Sequence, residues 1–515
     1  MPSLSSRRVV WILLLAGLVL AFAGADAMSL KGCDEAFYAQ IAREMVQTGD
    51  WITPRFDGAP NFEKPPMLFW MMASLFRAFG VSDFAARLPV MGLGVLAVVL
   101  TGILVGRRRS PATALLAGSV VATTGLFWQL SHQVMMDVPA VAFTLLVWLG
   151  LLEMGGDRRW AWLVGPGLGL VVLTKGALGA LILVACLPFM LWRKGPWPWE
   201  LWAGAGLGLL PGVAWYGRMT ALWGKSFWQV HLAQQVVQRA HEGLFPTNPL
   251  GPAFYVIHGL YTLLPWSGLI PLGVWVGWHK ARTRDPLVIL TLGFGAVYLL
   301  AISLMTTKFD HYALPLVIPM AVLIADALTQ PVPIPGAVRG IGATLYGLAG
   351  LAGTAGALWA GAFRLPPTDP AWPAIHPMTV AAVLGLAATW LVASVCLATR
   401  PIGHLLGALL AGGAGMAFCL AATFQHPWDA DPGLRRLLTK VPTGSSLVFL
   451  SSIPVRDDFC TYAMLRFRAS GPFQQRLTDE ATASGARYWL TQWQEAAPGA
   501  VGLAEDGRWR LYRPR

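Results

Sequence analysis

Residues 34–66 read DEAFYAQIAREMVQTGDWITPRFDGAPNFEKPP, a charged stretch directly after the first long apolar run of a chain that is otherwise poor in charge. It opens on the acid pair Asp34-Glu35, continues through Arg43, Glu44, Asp50, Arg55 and Asp57, and closes on Phe62-Glu63-Lys64-Pro65-Pro66. Ionisable groups inside a bilayer are costly, so such a run must face water or a ligand at the membrane surface. It reads as a catalytic loop within residues 29–87.

Outward from it, the chain of 515 residues is 55% hydrophobic and 12% charged, with 24 Trp. Many of its apolar runs approach the roughly 20 residues needed to cross a bilayer. The expected fold class is an all-α polytopic membrane protein with a small C-terminal soluble α/β domain. Crossings are expected near residues 9–28, 88–106, 111–131, 138–154, 160–174, 177–192, 199–218, 253–278, 286–304, 312–328, 337–361, 378–398 and 404–423, about thirteen helices. The first follows Arg7 and Arg8 and has no convincing small-residue cleavage site, so it is taken as a retained anchor.

The net charge of +12 sits largely in clusters beside these runs: Arg107-Arg108-Arg109, Arg158-Arg159, Arg193-Lys194, Lys280 with Arg282 and Arg284, Arg339 and Arg400. That placement follows the positive-inside rule and argues against a nucleic-acid partner. It sets the N-terminus in the cytoplasm and, by the odd count, the C-terminus outside. The other face then collects the first loop, Asp137, Lys175, the 218–252 loop and Lys308 to Tyr312. Asp137 and Lys175 lie between apolar helices and are functional candidates, although a structural ion pair or snorkelling would account for either alone.

In the first loop, Phe37, Tyr38, Ile41, Ala42 and Met45 form an apolar face opposite Gln40, Arg43, Glu44 and Gln47, which suggests a helix along the membrane surface. Pro66 to Phe79 reads as a second helix ending at Gly80. The five cysteines have neither zinc spacing nor an even count. No metal or other cofactor is therefore expected from them. A Cys33–Cys460 bridge would suit an oxidising compartment but has no spacing behind it.

Carboxylates and cations together at a membrane surface suit a phosphorylated lipid. A sugar on a polyprenyl phosphate presents its anomeric carbon there, and departure of the phosphate is helped by fixed positive charge. Lys64, Lys175, Arg239 and Lys308 are the candidates. Asp34 is the expected general base for an acceptor hydroxyl. If the acceptor is a phosphate monoester, already largely ionised, Asp34 would instead orient it and stabilise charge on the sugar ring.

The motifs Asp34 to Met45, Gly49-Asp50-Trp51, Pro54-Arg55, Glu63-Lys64-Pro65-Pro66 and Arg87-Leu88-Pro89 together resemble the GT-C-type polyprenyl-phosphate-dependent glycosyltransferases. So do Met136-Asp137, Leu173-Thr174-Lys175-Gly176, Leu264-Pro265-Trp266-Ser267 and Lys308 to Pro315. The nearest branch is the bacterial lipid A aminoarabinose transferases, related to protein O-mannosyltransferases, and the similarity covers roughly residues 10–330. It implies that Asp34 is the catalytic acid residue of the loop, that Glu63 and Lys64 line the cavity, and that Asp137 is a second catalytic carboxylate. Glu35, Arg55, Lys64, Lys175, Arg239, Lys308 and Tyr312 are the implied substrate-binding set. The resemblance further implies inversion at the anomeric carbon and a divalent cation in some members, for which His231 beside Glu63 is the candidate; a solvated loop histidine is the alternative. Asp310-His311 departs from the commoner uncharged residues of that motif.

The division expected is 1–423 for the membrane domain and 424–515 for an α/β domain outside it, with strands near Ser446 to Leu450, Tyr488 to Thr491 and Trp509 to Tyr512. Residues 337–423 are expected to be mainly scaffold. The expected partners are a polyprenyl-phosphate-linked sugar, membrane lipid, and lipid A or another envelope acceptor, at a bacterial inner membrane. A protein O-mannosyltransferase-like enzyme and a lipid or solute transporter remain as alternatives. A transporter should show internal repeats and interrupted helices at the bilayer midplane.

Overall fold

The computed structural model describes residues 5–22, 32–242, 250–362, 377–399, 432–451, 465–469, 473–477, 488–492, 500–506 and 509–514, with a few residues near 25–30 and 403–413. The Cys33 side chain, Cys460 and most of the 404–423 segment lie outside the described residues.

The order begins with α1 (Ser6–Phe22), then α2 (Gly32–Thr48) and α3 (Met67–Phe79) in the first loop. It continues through α4 (Asp83–Gly106), α5 (Pro111–Thr123), α6 (Gly125–Ser131), α7 (Asp137–Glu153), α8 (Val164–Lys175), α9 (Leu178–Trp192) and α10 (Trp199–Trp228). A π-helical stretch, Gln229–Gln238, carries α10 into the short turn α11 (Arg239–His241). After α12 (Phe254–Thr262), α13 (Ile270–Arg282) and α14 (Pro286–Leu304), a 3-10 stretch, Asp310–Leu316, leads into α15 (Val317–Thr329), α16 (Gly336–Ala362) and α17 (Pro377–Thr399). Several starts are written locally. Ser110 accepts the Thr113 N–H and Asp285 accepts those of Leu287 and Val288, each followed by a proline that has no N–H to satisfy.

Each of the first twelve expected crossings contains helix, but among the described residues only 4 helices are long and apolar enough to span by length and composition, or 5 with α5 and α6 joined across their 64° bend. The others are short or broken. Large apolar side chains remain exposed on helix flanks, as at Trp11, Leu15, Val19, Trp202, Leu207 and Leu300, as a hydrocarbon surround requires. Close helix approach is set by glycine. A Cβ at Gly165 would meet the Gly204 carbonyl oxygen at 1.8 Å, and one at Gly169 that of Gly208 at 1.9 Å, so α8 and α10 touch backbone to backbone through paired small-residue steps.

The basic clusters meet acidic partners at one end of the bundle. Arg107 and Arg108 bind Glu153 at 2.8 and 2.9 Å, joining the ends of α4 and α7. Arg109 forks onto the fully buried Asp326 at 2.8 and 2.9 Å and also reaches Asp285, while Lys280 reaches Asp326 at 3.0 Å. Removing one partner of a buried pair leaves an uncompensated charge, so Arg109→Ala is expected to cost about 3–5 kcal/mol, read as a lowered melting temperature in detergent.

The first loop differs from the surface helix expected. In α2 the apolar face is buried, but so are Gln40 and Glu44. The reason is a hairpin, β1 (Arg55–Phe56) and β2 (Ala59–Pro60), turned by Asp57 and Gly58 at φ 54° and 76°. Glu44 accepts both turn N–H groups at 2.8 and 3.0 Å and the Gln40 amide at 2.7 Å, so its charge is used inside the loop. The helix α3 forms as expected and stops at Gly80, φ 82°.

Near the C-terminus, α18 (Pro432–Leu438) packs on a five-stranded mixed sheet in the order β4-β3-β5-β7-β6. The strands are β3 (Leu447–Ser451), β4 (Phe473–Leu477), β5 (Tyr488–Gln492), β6 (Ala500–Asp506) and β7 (Trp509–Pro514); β4 and β5 run parallel to β3, and β7 antiparallel to β5 and β6. The three strands expected are β3, β5 and β7. From the same region Phe467 O accepts from Arg43 at 2.8 Å and Arg466 pairs with Asp57 at 2.5 Å, which ties this part of the chain to the first loop.

Candidate active site

Helix α7 begins with Asp137 and α8 ends with Lys175, so antiparallel packing of these two apolar helices brings the charges together at 2.5 Å. Asp137 is buried, and its carboxylate sits in the first turn of α7, where the helix dipole favours negative charge. The Lys175 ammonium also lies 5.2 Å from the centre of the Tyr312 ring, a cation–π contact.

The π-helical stretch supplies another wall. Its wider turn puts His231, Gln235 and Arg239, spaced by four, on a common face, and all three line one cavity. The cavity, about 290 Å³, is also lined by Glu63, Lys64 and Pro65 of the first loop, Lys175 and Gly176, and Tyr312. Apolar walls come from Leu178 and Leu181 of α9 and from Tyr298, Ile302 and Met305 at the end of α14. A few charged groups in an otherwise apolar hollow is the usual composition of a ligand site.

Lys64 contacts the Gln235 side-chain oxygen at 3.3 Å. Burial lowers its pKa to about 8, with the positive charge of Arg239 acting in the same direction and Glu63 opposing it. His231 is buried rather than solvated, and burial lowers its pKa. Its Nδ1–H donates to the Phe62 carbonyl at 2.8 Å, which leaves Nε2 to accept the Tyr216 hydroxyl at 2.9 Å. A cation on His231 and Glu63 would have to displace that hydroxyl, and among the described residues no three His, Cys, Asp or Glu side chains converge on a metal position. The pair as it stands does not fit one.

The expected site residues separate by whether their side chains are already engaged. Glu35 is 4% exposed, binds Arg87 at 3.2 Å and accepts the Val134 N–H at 2.8 Å; it braces α2 against α4 and the approach to α7 and is not a lining residue. Arg55 is held by Asp50 at 3.3 Å and the Gly58 carbonyl at 3.1 Å, inside the loop hairpin. Lys308 donates to the carbonyls of Ser303 and Met305 at 2.7 and 2.6 Å, closing the end of α14. By contrast, among the described residues the side chains of Asp34, Glu63, Arg239 and Tyr312 form no hydrogen bond or ion pair. Asp34 is exposed at the start of α2, and its charge acts on Lys64 and His311. The structure thus gathers Glu63, Lys64, Lys175, Arg239 and Tyr312 around the cavity with Asp137 paired to Lys175, and places Glu35, Arg55 and Lys308 in structural contacts. Sequence reading missed Gln235, Tyr216 and the apolar walls; the four-residue spacing from His231 to Arg239 was the available signal.

A family profile described as dolichyl-phosphate-mannose-protein mannosyltransferase matches residues 32–237. A Pseudomonas aeruginosa protein named undecaprenyl phosphate-alpha-4-amino-4-deoxy-L-arabinose arabinosyl transferase is 32% identical over 373 residues, 67% of this chain and 65% of that relative. The match therefore spans just under two thirds of that relative's own length. A Pseudomonas fluorescens protein of the same name, numbered 2, is 26% identical over 512 residues, 92% of this chain and 81% of its own. Among solved structures, ArnT from Cupriavidus metallidurans bound to undecaprenyl phosphate superposes with a TM-score of 0.75 at 19% identity, over 98% of this chain and 97% of that one. The fold is shared.

Proposed function

Because the chain belongs to the GT-C-type polyprenyl-phosphate-dependent glycosyltransferases, we propose that it moves a sugar, aminoarabinose-like or a hexose, from a polyprenyl-phosphate donor to lipid A or another envelope acceptor. The observation that carries this reading is that half-buried Lys64 and Arg239, from distant segments, line one cavity that also has an apolar wall. Two cations suit the donor phosphate, and Leu178, Leu181, Ile302 and Met305 suit the first isoprene units.

In this reading the acceptor oxygen attacks the anomeric carbon from the face opposite the phosphate, and the configuration inverts. The new bond is acceptor oxygen to carbon. The bond that breaks joins that carbon to the phosphate oxygen, whose electron pair leaves with the lipid phosphate beside Lys64 and Arg239. Asp34 takes the proton of a hydroxyl acceptor or, for an ionised phosphate acceptor, stabilises the positive charge on the ring. Glu63 and Asp137 complete the acidic side, Asp137 also fixing Lys175 beneath Tyr312.

The shorter helices are read as completing about thirteen crossings in a bacterial inner membrane. The N-terminus lies in the cytoplasm, the cavity opens to the periplasm, and residues 424–515 form a periplasmic domain above a membrane domain of residues 1–423. The basic clusters gathered at the end of the bundle opposite Lys64 and Lys175 support that orientation. Mass spectrometry of envelope lipids and proteins from cells with and without the gene tests the reading: a sugar missing from a lipid is expected. A sugar missing only from protein hydroxyls would favour the O-mannosyltransferase-like alternative, which the family match keeps in view.

A further inference from the structure

We propose that His311 holds the acceptor, its imidazole hydrogen-bonding an anionic phosphate on the molecule that receives the sugar. The proposal rests on the transferase reading above. The 3-10 stretch carries three polar residues in a row: Asp310 is bound to His258 at 2.6 Å, Tyr312 lines the cavity, and His311 lies between them. Its ring is fixed on two sides, stacked on Phe309 with centroids 5.1 Å apart and edge-on to Tyr312 at 4.8 Å. Since Tyr312 also lies under the Lys175 ammonium, the imidazole is one ring away from the Lys175–Asp137 pair.

The neighbouring histidines are engaged: His231 through both nitrogens, His258 with Asp310, and His132 with the Trp128 carbonyl at 2.8 Å. Among the described residues His311 forms no hydrogen bond, although it is partly buried. Its ring nitrogens keep some exposure and have no partner among the described residues, so they are open to a ligand that supplies one.

The charges facing His311 are Asp34 from α2, Asp137 from α7, Lys64 from the first loop and Lys175 from α8. They balance. The donor phosphate takes Lys64 and Arg239, and Lys175 is held by Asp137, so an acceptor phosphate of about −1.5 to −2 charge must find other donors. The Tyr312 hydroxyl at the cavity and the His311 ring packed edge-on to it have no hydrogen-bond partner among the described residues. A dianion beside His311 favours the protonated form, and acceptor binding then takes up a proton; a plain hydroxyl acceptor would not produce this linkage.

The test uses the full chain in lipid nanodiscs, with undecaprenyl-phosphate aminoarabinose as donor and lipid A as acceptor. For His311→Ala the KM for lipid A is expected to rise about 10- to 100-fold, with kcat little changed and undecaprenyl phosphate binding intact. His311→Gln, which keeps an N–H donor, should recover part of the loss. Between about pH 6 and pH 8 the KM for lipid A should rise more steeply for the wild type than for either variant. Equal KM and equal pH slope in all three proteins would overturn the proposal, as would a loss confined to kcat in which the wild type's acid limb disappears, the mark of a base acting on a hydroxyl. If the wild type fails to consume the donor at all, the transferase reading fails and takes this proposal with it.

Discussion

Asp34→Asn is expected to lower kcat for sugar transfer by about 10²–10⁴-fold while the protein still inserts and binds undecaprenyl phosphate. Asparagine keeps the shape and removes the charge. Because the Asp34 side chain has no hydrogen bond or ion pair among the described residues, the substitution breaks no internal contact. The adjacent acid provides the contrast. Glu35→Gln removes the charge that meets Arg87, whose side chain is 1% exposed, so its main expected effect is on stability, at about 3–5 kcal/mol. Turnover and melting temperature of the two variants, measured side by side, separate the roles. Full transfer by Asp34→Asn would remove that carboxylate from the mechanism.

Lys64→Ala is expected to lower kcat/KM for the donor by about 10²–10³-fold, because a half-buried cation is lost where the leaving phosphate develops charge. The same residue sets a pH dependence. With its pKa lowered to about 8, the ammonium is present below that value and lost as pH rises through it, so donor kcat/KM should fall on the alkaline side of about 8. A bound phosphate favours the ammonium, so the limb in kcat should lie higher. Lys64→Arg, which stays charged, should remove the limb from this range while retaining part of the activity. An unchanged alkaline limb in Lys64→Arg would assign it to another group.

The helix order, the α3 helix of the first loop and the selection of Asp137 and Lys175 as charges between apolar helices were legible because each rests on local pattern: apolar runs, prolines and serines at starts, and charges placed at helix ends. Contacts between distant segments were not legible. Nothing in the spacing of Glu35 and Arg87, or of Lys308 and the last carbonyls of α14, shows that those charges are already used. The buried polar face of α2 was misread because a helix pattern cannot show that a hairpin will cover it. In the C-terminal sheet, β4 (Phe473–Leu477) carries two glutamines and β6 (Ala500–Asp506) ends on acids, so neither alternates as a strand should, and their place comes from pairing with β3 and β7. Arg239 lacked a register until the π-helical turn placed it with His231 and Gln235.

An experimental structure of the full chain with undecaprenyl phosphate bound is the most direct measurement of the account. The phosphate is expected within hydrogen-bond distance of Lys64 Nζ and the Arg239 guanidinium, with the first isoprene units against Leu178, Leu181 and Ile302. A lipid phosphate seated elsewhere, with Lys64 still turned to Gln235, would contradict it.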